Sequence, residues 1–198
     1  YNKDRKFIGE FGKKATLEGG GEEEFFNPIS FTINNKDQTL IVDSEISMED
    51  LSSNIVLKIF SKEGKFISKF YDEEEKGSGM LSFNTPLDIV SNPKDEILLS
   101  YPFQRKVKLF LPEGGKIKEI GGVVEEKEGQ FLYPPGSVAV SKDGNIFVLE
   151  NFPGSLIEVF DTEGKFKKRI ALEGANFMFI KIPPLAFDIA FSGEDSLY

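Results

Sequence analysis

EVFDTEGKFKKR (158–169) has two near copies earlier in the chain, KIFSKEGKFISK (58–69) and KLFLPEGGKIKE (108–119). Phe60, Phe110 and Phe160 therefore stand 50 residues apart, as do Ile89, Ala139 and Ile189. A fixed period of this length marks a chain built from repeated structural units. Each unit divides into the same four short segments of alternating apolar and polar residues: ISFTI, TLIVDS, IVLKIF and KFISKF in the first, LDIVS, EILLSY, KVKLFL and KIKEIG in the second, SVAVS, NIFVLE, LIEVF and KFKKRIAL in the third. Period-two alternation belongs to half-buried antiparallel strands. The quoted stretch then reads as the hairpin between the third and fourth strands, with Gly64, Gly114 or Gly164 supplying the positive backbone angle of a tight turn. The first-to-second turns NNKDQT, NPKDEI and SKDGNI repeat around Lys36, Lys94 and Lys142.

Units of about 50 residues with four antiparallel strands bury their faces by stacking on one another, which predicts an all-β chain of β-propeller blades. The expected organisation is a single propeller segment: a partial blade at 1–25, blades at 26–82, 83–130 and 131–181, and a partial blade at 182–198. KFIGEFG (6–12) reads as a fourth strand lacking its first three, and 187–198 as a first strand plus the beginning of a second. Six such blades need about 250 to 300 residues, so the expectation is an incomplete ring. The alternative is a four-bladed ring in which the N-terminal strand completes the last blade.

YPPGSVAVSKDGNIFVLEN (133–151) followed by IEVFDTEGKF (157–166) resembles the NHL-type blade of six-bladed propellers, P-x-x-[apolar]-x-V-x-x-D-G-N-I-[aromatic]-V-x-[acidic] and then V-F-D-x-x-G-K-F. PISFTINNKDQTLIVDSE (28–45) and PLDIVSNPKDEILLSYP (86–102) follow the pattern less closely. The absence of Trp disfavours WD40 blades. The resemblance implies a fold and leaves function open, because such blades serve as binding modules, RNA readers, lyases and lactonases.

Composition narrows those choices. The 198 residues are 39% hydrophobic, with 24 Lys and Arg against 33 Asp and Glu, a net charge of −9 and a pI near 4.8. An acidic surface does not attract phosphate backbones, so no nucleic-acid partner is expected. Lys165, Lys167, Lys168 and Arg169 form the only dense basic cluster, and they alternate with strand positions that face neighbouring strands or solvent, which does not make an RNA-reading face. Without Cys there is neither disulfide nor thiol nucleophile, and without His there is no Ser-His-Asp hydrolysis and no His-ligated zinc. The most apolar region, 176–191, contains Lys181, Pro183 and Pro184, so no membrane-spanning helix is expected. The chain starts at Tyr1 with no signal-peptide pattern, which fits a mature or excised segment; an extracytoplasmic setting, periplasmic or secreted, is favoured.

Blade topology assigns the connections to faces. One face carries the fourth-to-first loops, with Glu22, Glu23 and Glu24, then Asp72, Glu73, Glu74 and Glu75, then Glu125, Glu126 and Glu128. These read as solvated charge or as an acidic field for a cationic partner or Ca²⁺. The second-to-third loops share that face and supply the candidate binding residues Tyr101, Phe103, Arg105, Glu150, Asn151 and Phe152. The competing reading has Tyr101, Phe103 and Phe152 capping the blade core. Asp43 and Glu150 end second strands, where an acid is expected to tie a neighbouring backbone turn; the second blade offers Ser100 or Tyr101 there. The expected function is noncatalytic binding of a protein, peptide or glycan, without a cofactor. The alternative is a calcium-dependent, lactonase-like hydrolase, for which Asp43, Asp88, Glu150 and Asp188 are the candidate channel carboxylates, with Val138 level with Asp88 and Asp188.

Overall fold

The computed structural model describes residues 4–7, 9–16, 21–46, 52–75, 78–79, 85–122, 129–150, 156–172, 175–177, 180–182, 188–192 and 196–198. Short strands β1 (Lys13–Lys14) and β2 (Glu24–Phe25) pair in parallel. The first blade is β3 (Pro28–Ile33), β4 (Thr39–Ile46), β5 (Ser52–Phe60) and β6 (Phe66–Tyr71), with β7 (Ser78–Gly79) added on β5. The second is β8 (Asp88–Ser91), β9 (Ile97–Tyr101), β10 (Lys106–Phe110) and β11 (Lys116–Gly121), and the third is β12 (Pro135–Val140), β13 (Ile146–Glu150), β14 (Leu156–Phe160) and β15 (Phe166–Ala171). A hairpin of β16 (Ala175–Phe177) and β17 (Ile180–Ile182) follows. Ala190 and Tyr198 then exchange backbone hydrogen bonds beside a Phe191–Leu197 bridge. No helix occurs among the described residues.

Each blade is an antiparallel meander, because successive strands are joined by turns too short for a crossover. The repeated hairpin has one geometry in all three blades. Gly64, Gly114 and Gly164 adopt φ of 78°, 97° and 69° and donate their amides to Ser61, Leu111 and Asp161, and the register slips by a bulge just before Phe60, Phe110 and Phe160. The opposite turns put Asp37 and Asp95 in the left-handed region, where the third blade has Gly144.

Blades stack through apolar faces. Leu40, Val42, Ile55, Leu57 and Ile59 of the first cover Ile89, Ile97 and Leu99 of the second; Leu98, Val107, Leu109 and Ile120 of the second cover Val138, Ile146 and Val148 of the third. Ala139, Leu149, Ile157 and Val159 are covered in turn by Ile189, Phe191 and Leu197. A second fit recurs at the junctions. A Cβ on Gly114 would stand 3.0 Å from the Phe70 ring, and one on Gly64 would stand 2.8 Å from Phe11. Gly12 and Gly121 likewise leave room for the rings of Phe25 and Phe131, which a Cβ at either would strike.

Those fits explain the N-terminal segment. The described part of 6–12, expected as a fourth strand lacking its first three, makes no strand ladder, and no described strand lies beside it. Phe11 nevertheless seats on Gly64 and on Phe60, at a ring distance of 5.1 Å, as Phe70 seats on Gly114 and on Phe110 at 6.0 Å.

Candidate functional site

Two residues before each recurring phenylalanine, Phe60, Phe110 and Phe160, stands a charged residue: Lys58, Lys108 and Glu158. Strand alternation alone would place them on either face, and the register sets them opposite Ile41, Leu99 and Val148, inside the blade junctions, where all three are fully buried. A buried charge persists only with partners. Lys58 donates to Asp43 at 3.1 Å and to the Glu24 carbonyl, and pairs with Glu45 at 2.8 Å. Asp43 in turn accepts from the amides of Phe26 at 3.0 Å and Asn27 at 2.7 Å, tying the turn ahead of β3.

The second blade solves the same problem with the preceding loop. Lys108 donates to Asp72 at 2.9 Å and Glu75 at 2.6 Å, lies 3.3 Å from Glu74, and sits 4.4 Å above the Tyr101 ring. Tyr101 donates its hydroxyl to Asp72 at 2.7 Å, and Gln104 donates to Glu75 at 2.6 Å. Burial lowers the Lys108 pKa, but the hydrogen bonds to Glu75 and Asp72 outweigh it and the net shift is upward, so the ammonium stays charged. Burial, reinforced by the Asp72 charge, pushes the Tyr101 phenol well above its usual range.

These contacts correct two expectations. Tyr101 is not an exposed anchor: it is fully buried, and the register puts it, rather than Ser100, in the slot held by Asp43 and Glu150. The run 72–75 is not simply a solvated acidic field either, since Asp72 and Glu75 are buried and Glu74 bridges Lys108 and Lys116. Phe103 does remain 64% exposed, in a turn whose shape depends on Arg105. Arg105 takes a φ of 53°, donates its amide to Pro102 and accepts from Gly122 at 2.8 Å. Asn151, Phe152, Glu125, Glu126 and Glu128 lie outside the described residues.

In the third blade Glu150 is buried and accepts from the Tyr133 amide at 2.5 Å, the turn-tying role also held by Asp43. Burial pushes its carboxyl up to about 7, with neighbouring Glu158 adding to the rise against the Tyr133 amide. Arg169 donates to Glu158 at 2.5 Å.

First strands of adjacent blades lie side by side, β3 by β8 and β8 by β12, forming the inner rim. Along it Ser30 donates to Asp88 at 3.3 Å, and the Ser137 hydroxyl lies 3.0 Å from Asp88 and 2.5 Å from Asp188. Ser137, not Val138, is therefore level with Asp88: four residues separate the paired Tyr101 and Lys106 but five separate Glu150 and Leu156, so the register matches Val138 with Ile89, and the Val138 amide donates to Asp88 at 2.9 Å. Asp88 is held above its ordinary pKa, mainly by burial. Of the four candidate channel carboxylates, Asp88 and Asp188 meet at Ser137, whereas Asp43 and Glu150 are committed to turns. Among the described residues no three acidic side chains gather to hold a metal. Sequence reading missed the buried charges, although a charged residue recurring two places before each Phe was a visible signal.

Stacked four-stranded antiparallel sheets with their first strands innermost define a β-propeller. No family model and no curated protein matches the chain. Solved structures do. A Bacteroides thetaiotaomicron protein of unknown function aligns with a TM-score of 0.57 at 15% identity, over 86% of this chain and 43% of that one. A streptogramin B lyase aligns with a TM-score of 0.51 at 10% identity, over 86% and 60%. Regucalcin from Agrobacterium tumefaciens, a calcium-binding protein, aligns with a TM-score of 0.50 at 16% identity, over 83% and 49%. The chain spans less than half the length of the Bacteroides protein. At these identities the likeness is one of fold, and proteins of this fold include enzymes and binding proteins.

Proposed function

We propose that the chain is a noncatalytic binding module of the six-bladed, NHL-type propeller class, and that its loop-bearing face takes a protein, peptide or glycan. The observation that carries this reading is Phe103, a large ring 64% exposed at the tip of a turn fixed by Arg105 and Gly122. A preordered aromatic loses little entropy on binding and is a typical interface anchor. The carboxylates nearby are spent on the fold: Asp43 on a turn and a lysine, Glu150 on a turn, Asp72 and Glu75 on Lys108.

The test is a displayed peptide library and a glycan array, each screened on the immobilised protein. Phe103→Ala is expected to weaken the recovered binders by about tenfold or more. Because lysines already neutralise much of the 72–75 loop, the affinity should depend only weakly on salt. Binders that ignore Phe103→Ala and map to the turns of Lys36, Lys94 and Lys142 would place recognition on the opposite face.

A second reading, a calcium-dependent hydrolase, draws on the meeting of Asp88 and Asp188 at the inner rim. Lactone and ester assays are expected to show no chelator-sensitive turnover, since two carboxylates and a serine supply few of the roughly six to eight oxygen ligands that Ca²⁺ takes. Chelator-sensitive turnover that is also lost in Asp188→Asn would establish the hydrolase instead.

A further inference from the structure

Glu150 and Glu158 are both fully buried, and Glu150 Oε1 and Glu158 Oε2 have no hydrogen-bond partner. The first two blades put a lysine ammonium at the Glu158 position, where it neutralises carboxylates. The third puts a second carboxylate there. The charged groups acting on Glu150 are Glu158 on β14 and Arg169 on β15, while the turn ahead of β12 contributes the Tyr133 amide and β12 itself faces Glu150 with Pro135. Two carboxylates and one guanidinium leave one buried negative charge uncompensated, and a lone buried charge is neutralised wherever its chemistry allows.

We propose that Glu150 and Glu158 share one proton across their unpartnered oxygens, and that its dissociation loosens the 131–135 turn, making the third blade a pH-responsive element. With the proton in place, one carboxyl donates to the other, Arg169 balances the remaining charge, and Glu150 still accepts from Tyr133. With the proton released to solvent, two like charges face each other in a dry site, and relief comes from withdrawing Glu150 and its turn. The sign follows from the elevated carboxyl, about 7 against an ordinary 4.5: the folded chain holds the proton more tightly than the unfolded one. Its stabilising effect is complete below 4.5 and is lost as the pH rises through 7.

Thermal unfolding of the chain at pH 5 and pH 8 tests this, beside Glu150→Gln and Glu158→Lys. The glutamine keeps an acceptor for Tyr133 and gains a donor for Glu158, while Glu158→Lys recreates the arrangement at Lys58, with Arg169 facing it as Lys69 faces Lys58. The wild type is expected to melt lower at pH 8 than at pH 5, and each variant to lose most of that difference by melting higher at pH 8. If the variants fold poorly, infrared spectra of the wild type decide: a protonated, buried carboxyl band should be present at pH 6 and vanish by pH 9. An unchanged pH difference in a folded variant, or no such band in the wild type, overturns the proposal.

Discussion

Lys108→Ala should cost about 3 to 5 kcal/mol in urea unfolding, because it strands Asp72 and Glu75 as buried carboxylates with their counter-charge gone. The comparison is Lys62→Ala. Lys62 forms an equally short pair with Asp37, but both side chains are well exposed and screened by water, and its loss should leave the urea transition nearly unchanged. Burial, not pair distance, ranks the two lysines. Combining Lys108→Met with Asp72→Asn and Glu75→Gln should recover much of the loss, since orphaned charge rather than missing attraction dominates the penalty. A single substitution costing no more than Lys62→Ala would refute the buried network.

Phe160→Ala is the second large effect, expected at about 3 to 5 kcal/mol by the same measurement. Its ring is buried between Phe131, at 5.9 Å, and Phe166, at 6.1 Å, both edge-on, and it belongs to the core shared by the second and third blades. Truncation leaves a cavity that rigid strands on two sheets cannot collapse to fill. Phe103→Ala, by contrast, should change stability by no more than about 0.5 kcal/mol. The two variants thus separate the aromatic that builds the junction from the one that faces outward.

The blades were legible in the sequence because their information is local. The apolar segment Leu156–Phe160 and the glycine turn at Gly164 are read from adjacent residues, and the 50-residue recurrence of Phe60, Phe110 and Phe160 supplies the stacking. Long-range partners were not legible. Asp72 and Glu75 read as a solvated run because the lysine that neutralises them lies 36 and 33 residues further on, in the next blade. The 50-residue spacing sets Val138 level with Asp88 because it counts through the second-to-third connection, which has four residues between Tyr101 and Lys106 and five between Glu150 and Leu156, and a one-residue offset flips the face of a strand. Tyr101 read as an exposed anchor beside Pro102 because its hydroxyl partner, Asp72, comes from the neighbouring blade, whereas the turn-tying role expected of Asp43 and Glu150 holds although Asp43 lies inside β4 and only Glu150 ends its strand.

The ring-on-glycine fit at Gly64 and Gly114 has a further bearing on how such a chain can diversify. From Ser30 to Asp88 along the inner rim is 58 residues, from Asp88 to Ser137 is 49, and from Ser137 to Asp188 is 51, yet these side chains meet in one line. Blade position is indexed by an apolar side chain, Phe11, Phe70 or Ile120, seated on the turn glycine of the next sheet, as a pin finds its hole, and not by the length of chain between sheets. Connecting segments are thereby released from any metric duty. Insertions and deletions can accumulate there without moving the sheets, which leaves that side of the molecule open to selection while the stacked interior stays fixed.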